Sequence, residues 1–158
     1  VDGESPTLSG QEGIILEYRL RIRAAKSTEH KEICRIAKQS QYTKDFSNMI
    51  FSGVDCYAEG KIRVAVSGKT IVGFTCFRHR QRDNVTVLYF VGVETSRRNR
   101  GVGLALMEDL RQISTGIIEF KVMKDNQAVR FYRRLGFKVI GQAYEGKAWI
   151  MQQKTPED

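Results

Sequence analysis

The chain is poor in soft metal ligands and in long apolar runs. Its 158 residues hold three cysteines, Cys34, Cys56 and Cys76, with no CxxC spacing, and two histidines, His30 and His79. An odd cysteine count without paired spacing argues against a disulfide framework and a structural zinc site. A reducing, cytoplasmic setting and no bound metal are therefore expected. No apolar run approaches the ~20 residues that a membrane-spanning helix needs, so no membrane partner is expected. Two phosphate-binding signatures are missing as well. There is no GxxxxGK[ST] run, and Leu106 stands where a dinucleotide fingerprint starting at Gly101 and Gly103 needs its third glycine. That spacing excludes P-loop ATPase and dinucleotide-dependent dehydrogenase chemistry. No internal repeat or low-complexity linker interrupts the chain. The opening stretch, VDGESPTLSGQEG, is acidic and polar and lacks the basic-then-apolar pattern of a signal peptide. Residues 1–17 are expected to be a flexible tail or an expression remnant, and residues 18–154 a single domain.

What is present is ordinary globular composition with an excess of positive charge. Apolar residues make up 41% and charged residues 28%, which suits one compact core. Lys and Arg outnumber Asp and Glu by 26 to 18, a net charge of +8 that favours an anionic partner. Nucleic acid, an acidic protein and a phosphate-rich cofactor all satisfy that condition.

Alternation marks the strands. In YRLRIRAA, Arg19, Arg21 and Arg23 alternate with Leu20, Ile22 and Ala24, the period of a strand with one wet face. Ser27 and Thr28 can cap a helix carrying Ile33, Ile36 and Ala37, ending near Ser40. A weaker helical pattern covers Asp45 to about Ser52, and residues 53–60 read as loop. KIRVAVSGKTIVGFTCFRH reads as a hairpin turning at Ser67 to Lys69, and RQRDN turns into a strand over Val85 to Val93. Then follow a helix from Val102 to Ser114, a strand GIIEFKVM, a helix from Asn126 to Leu135, and the strands FKVIGQ and KAWIMQQ, which turn at Glu145 and Gly146. The order βααβββαβαββ predicts an α+β fold.

The segment RRNRGVGLA, Arg97 to Ala105, joins the Val85–Val93 strand to a helix. A helix start offers unpaired N–H groups and partial positive charge, Gly101 and Gly103 allow close approach, and the arginines supply forked donors. The loop is suited to a phosphate or pyrophosphate, although a glycine-containing turn with exposed arginines would read the same way. A second stretch, NQAVRFYRRLGF, begins about twenty residues further on. Together with VETSRRNRGVGLAL it resembles the GNAT superfamily of acetyl-CoA-dependent N-acetyltransferases. Arg98, Gly101 and Gly103 match the family's [QR]xxGx[GA] signature. Ala128, Phe131, Tyr132, Leu135, Gly136 and Phe137 match its second motif.

The resemblance spans about Tyr18 to Gln153 and implies a mixed, mostly antiparallel seven-stranded sheet flanked by about four helices. It also implies direct acetyl transfer from acetyl-CoA to a primary amine. Arg98, Asn99, Arg100, Gly101, Val102 and Gly103 would hold the pyrophosphate. Backbone groups of Val91 and Val93 would take the pantetheine arm, with Asn126 as a further contact. Tyr132 would protonate the departing thiolate. The sequence departs from the family at Thr95, where a proline is common, and at Asn99, where a glycine or basic residue is frequent. Asp125 takes the usual asparagine position. The Val85–Val93 strand has no carboxylate to act as general base, so Glu94 is the nearest candidate beside a water relay.

Several residues have plainer readings. The arginines of YRLRIRAA fit the solvated face of an edge strand. His30 and His79 are expected at a helix start and a hairpin end, outside the chemistry, and Cys76 as a buried small side chain. A small-molecule or protein amine is the expected acceptor, ahead of nucleic acid, because the remaining arginines come from separate segments without interleaved aromatics. A catalytically silent CoA-binding or nucleic-acid-binding module is the alternative, and a homodimer is left open.

Overall fold

The computed structural model describes residues 20–48 and 54–156. The N-terminal stretch with Arg19, and the end of the helical pattern toward Ser52, lie outside them. The strands are β1 Leu20–Ala24, β2 Ile62–Ser67, β3 Thr70–Arg80, β4 Val85–Val93, β5 Ile117–Met123, β6 Lys138–Ala143 and β7 Ala148–Lys154. The helices are α1 His30–Ala37, α2 Val54–Ala58, α3 Val102–Ile113 and α4 Ala128–Arg134, with 3-10 turns at Ser27–Glu29, Lys44–Asn48 and Thr95–Arg97. The seven strands form one mixed sheet in the order β1-β2-β3-β4-β5-β7-β6. This is the α+β architecture that the residue pattern predicted.

Two compact units make up the chain. The first runs to Cys76 and adds Phe90–Asp109; the second comprises Phe77–Tyr89 and the residues from Leu110 onward. In the first unit, β2 pairs antiparallel with both β1 and β3. The β2–β3 register steps from Ala65↔Gly73 to Val66↔Ile71, so Val72 is the extra residue of a bulge. Among the described residues, two buried clusters pack on this unit's strands. Ile33, Ile36, Phe46, Tyr57, Ile62, Val64 and Phe74 are buried with Phe90 packed against them, and Ala65, Val72, Val102 and Leu106 form a second cluster. Arg63 on β2 donates to both carboxylate oxygens of Asp109 on α3, at 2.7 and 2.8 Å. This forked pair holds α3 to its strand.

Helix α1 ends at Ala37, ahead of the expected Ser40. The Thr43 hydroxyl donates to the freed Ala37 carbonyl at 2.6 Å, which satisfies a helix end that would otherwise continue. The segment expected as loop over residues 53–60 contains α2. Burial of Cys56 and Tyr57 in the first core overrides its weak helical pattern. Gly60, at φ +72°, closes it, with Gly60 N–H donating to Tyr57 and Lys61 N–H to Cys56.

In the second unit β5 pairs antiparallel with β7, and β7 with β6. Ile118, Phe120, Val122 and Met151 are buried together with Tyr132 and Phe137 from the RFYRRLGF stretch. The unit's turns explain two sequence features. Asn126 Oδ1 accepts the Ala128 N–H at 2.9 Å, starting α4. At its end Gly136 takes φ +101°, Gly136 N–H donates to Arg133 and Phe137 N–H to Tyr132. That pairing is a Schellman motif, which needs a glycine at the left-handed position and packs the following residue back on the helix. Phe137 accordingly lies 6.2 Å from the Tyr132 ring, centroid to centroid.

Gly92 on β4 is set by packing rather than by backbone conformation. A Cβ there would come within 2.5 Å of Cε1 of Phe74, a fully buried ring. Gly92→Ala is expected to destabilise the protein by ~1–3 kcal/mol through overpacking, read from the denaturant midpoint. An unchanged midpoint would mean that the Phe74 ring yields without cost.

Candidate active site

The β4–α3 connection opens with a 3-10 turn and closes with two left-handed residues. Glu94 N–H donates to the carbonyl of Val72, the bulge residue, at 2.8 Å, and Arg97 N–H donates to Glu94 at 2.8 Å. Asn99 and Gly101 then take φ +63° and +85°. The Ala105 N–H reaches back to Gly101 at 3.0 Å, so α3 begins directly after the glycine. The N–H groups of Val102, Gly103 and Leu104 precede the first intrahelical donor and point along the helix axis toward the loop. Arg97, Arg98 and Arg100 lie in the loop leading into this end. Arg98 Nε donates to the Val93 carbonyl at 3.3 Å, while Arg97 and Arg100 have no side-chain partner among the described residues. Cations without acids beside open backbone donors fit a polyanion such as pyrophosphate.

Val91 and Val93 turn their side chains onto the cluster of Ala65, Val72, Val102 and Leu106. The parallel ladder between β4 and β5 runs from Val85↔Ile117 to Val87↔Glu119, while β4 itself continues to Val93.

Glu94, the candidate base of the sequence reading, is fully engaged. Its Oε1 accepts from Arg35 at 2.9 Å and Gln39 at 3.2 Å, and its Oε2 accepts from the backbone and hydroxyl of Ser96 at 3.0 and 3.2 Å. The Ser96 N–H, then Arg35 and Gln39, hold its carboxyl down at about 2. A carboxylate stabilised this strongly is a weak proton acceptor. Arg35 and Gln39 were not singled out by sequence reasoning. They lie 59 and 55 residues from Glu94, and no local pattern pairs them.

In the second unit, Tyr132 sits on α4 with its ring 4.5 Å from Phe120 and 5.4 Å from Phe131. The residue is 7% exposed, and its hydroxyl has no hydrogen-bond partner among the described residues. Burial pushes the phenol above its ordinary range, keeping it neutral and proton-bearing. Asn126 spends its side-chain oxygen on the α4 start.

The histidines sit in other networks. His30 Nδ1 shares a hydrogen bond with Tyr57 Oη at 2.5 Å and Nε2 lies 3.3 Å from Cys34 Sγ; His79 Nδ1 lies 3.3 Å from Thr86 Oγ1. His30 is thus tied into the first core, beyond the helix-start role expected of it. Among the described residues, no group of three or more His, Cys, Asp or Glu side chains could hold a metal ion.

Residues 58–139 match the profile of the acetyltransferase (GNAT) domain. The chain is also 43% identical over 129 residues to the 5-NmdU N-acetyltransferase of Pseudomonas phage PaMx11, across 80% of this chain and 92% of that relative. The chain belongs to the GNAT acetyltransferase family. It is an N-acetyltransferase that draws on acetyl-CoA. Solved structures agree on the fold. Ard1 of Thermoplasma volcanium aligns with a TM-score of 0.71 at 22% identity, over 87% of this chain and 99% of that one. The PaiA N-acetyltransferase of Thermoplasma acidophilum, in complex with coenzyme A, aligns with a TM-score of 0.72 at 17% identity, over 86% and 99%. In this GNAT chain, the open α3 amides and the arginines without ion pairs among the described residues suit a phosphate-bearing ligand.

Proposed function

We propose that this acetyltransferase modifies an amine carried on a modified nucleobase. The observation that carries the reading is the 43% identity, over 92% of its length, to a relative named for 5-NmdU. It shifts the acceptor away from the small-molecule or protein amine favoured by the sequence alone, and it gives the net charge of +8 an anionic partner beyond coenzyme A. The three cysteines are buried and none is in a disulfide, which suits a reducing cytoplasm.

The residues divide the work by chemistry. Arg98, Asn99, Arg100, Gly101, Val102 and Gly103 receive the pyrophosphate, and the backbone of β4 at Val91 and Val93 takes the pantetheine arm. Asn126 serves by starting the helix that carries Tyr132. When bound, acetyl-CoA supplies an activated acyl thioester. The neutral amine forms a C–N bond to the acetyl carbon, the C–S bond breaks, the amine's proton goes to water, the Tyr132 O–H gives its proton to sulfur, and the phenolate then takes a proton back from water.

The test presents acetyl-CoA with a deoxyuridine bearing an amine at position 5, free and within an oligodeoxynucleotide, beside a polyamine and a lysine peptide. Mass spectrometry should find acetylated nucleobase as the preferred product. Acetylation of the polyamine or peptide with the nucleobase untouched would sink this acceptor.

A further inference from the structure

The loop assigned to the pyrophosphate is anchored from a helix far away in sequence. Gln39, just beyond the end of α1, accepts on Oε1 from both the N–H and the hydroxyl of Thr95, at 2.8 and 2.9 Å. Its Nε2 donates to Glu94. Arg35, on α1, donates Nη1 to Glu94 and Nε and Nη2 to Glu32. Glu94 closes the set by accepting from Ser96. The first turn of the connection is thus held at Glu94, Thr95 and Ser96, immediately before the left-handed Asn99 and Gly101.

From this arrangement we infer that Gln39 and Arg35, acting through Glu94 and Thr95, are positioning residues for acetyl-CoA that pre-set the pyrophosphate loop. The inference rests on the reading of Arg98–Gly103 as the pyrophosphate site. Its physical basis is ordering. A loop with two left-handed residues has freedom to lose on binding, and a network that fixes its first turn in the free protein removes part of that cost. Glu94 is then an acceptor that organises donors, which its low pKa suits better than proton abstraction. Helix α1 gains a role that its own sequence does not reveal. The network also explains Thr95 in the place where a proline is common, since proline has no N–H or hydroxyl to give Gln39.

The amide and carboxylate of this network can be exchanged. Gln39→Glu sets a second carboxylate against Glu94, in place of a donor now 3.2 Å away. Adding Glu94→Gln restores an amide–carboxylate pair with the partners reversed. Calorimetry on the full chain should show Gln39→Glu binding coenzyme A about tenfold more weakly, the scale of one charge-assisted hydrogen bond. The double variant should recover part of that loss, since the amide of Glu94→Gln, facing the carboxylate of Gln39→Glu, no longer accepts there from Arg35. Gln39→Ala, which brings in no charge, should weaken binding in the same direction and serves where Gln39→Glu does not fold. The kcat/KM for S-acetylpantetheine, which lacks the pyrophosphate, should fall by less than coenzyme A affinity does in folded Gln39→Glu and Gln39→Ala.

Wild-type affinity for coenzyme A in Gln39→Glu and Gln39→Ala would overturn the proposal, as would an equal loss with S-acetylpantetheine or a double variant no better than the single. Gly101→Asp separates the two levels. If it too binds coenzyme A normally, the pyrophosphate reading itself fails. If it loses affinity while the Gln39 variants keep theirs, only the positioning role fails.

Discussion

Tyr132→Phe is expected to lower kcat by ~10² or more, the lower end of what a positioned general acid contributes, while coenzyme A affinity and the fold are kept. The ring's contacts with Phe120, Phe131 and Phe137 are all retained by phenylalanine. The hydroxyl has no hydrogen-bond partner among the described residues, so removing it orphans no described group. Any kinetic loss is then chemical. A thiol has an ordinary pKa of ~8.5, and its departure as a bare thiolate is slower than departure with a proton delivered. The pH dependence follows from the direction of the phenol's shift. Burial raises its pKa, so Tyr132 bears its proton at all pH values below even the ordinary tyrosine value of ~10. The deficit of the variant should therefore be constant from pH ~6 to ~9. Rapid-mixing measurement of thiol release at saturating acetyl-CoA checks both points. Unchanged kcat where chemistry limits the rate would remove Tyr132 from the mechanism.

The sequence was most legible where a local period or turn chemistry decides the structure. The β-rich runs over Ile62–Ser67 and Val85–Val93 read as strands because β-branched and aromatic side chains suit a pleated, partly buried surface. The RRLGF run was readable because a Schellman turn has few solutions other than glycine, and Gly136 occupies its left-handed position. Legibility failed where tertiary contacts decide. Val54–Ala58 is a helix because Cys56 and Tyr57 find a core, although Gly60 was a local stop signal that could have been used. The Arg35–Glu94 and Gln39–Thr95 contacts join residues more than fifty positions apart, and neither partner stands out among many polar residues. Glu94 shows the difficulty in one residue. Its place after β4 suggested a base, whereas the donors around it, supplied partly by a distant helix, determine how basic it is.

Gly101→Asp should cut coenzyme A affinity by about 10²-fold, from one or two lost charge-assisted hydrogen bonds and direct repulsion of the phosphates. Gly101 sits at φ +85°, where most side chains are strained. Asn and Asp tolerate this region better than other residues, so both Gly101→Asn and Gly101→Asp should fold. The two are nearly isosteric. Asn reports what a side chain in the path of the pyrophosphate costs, and the step from Asn to Asp reports charge alone. Arg97 and Arg100, free of ion pairs among the described residues, would be drawn to the new carboxylate and lost to the ligand as well. Repulsion at an exposed loop is screened by salt, so the Asn-to-Asp difference should shrink as ionic strength rises while the Gly-to-Asn difference persists. Titration calorimetry of the three proteins at low and high salt measures both steps. Equal affinity in wild type and a folded Gly101→Asp would place the pyrophosphate elsewhere on the chain.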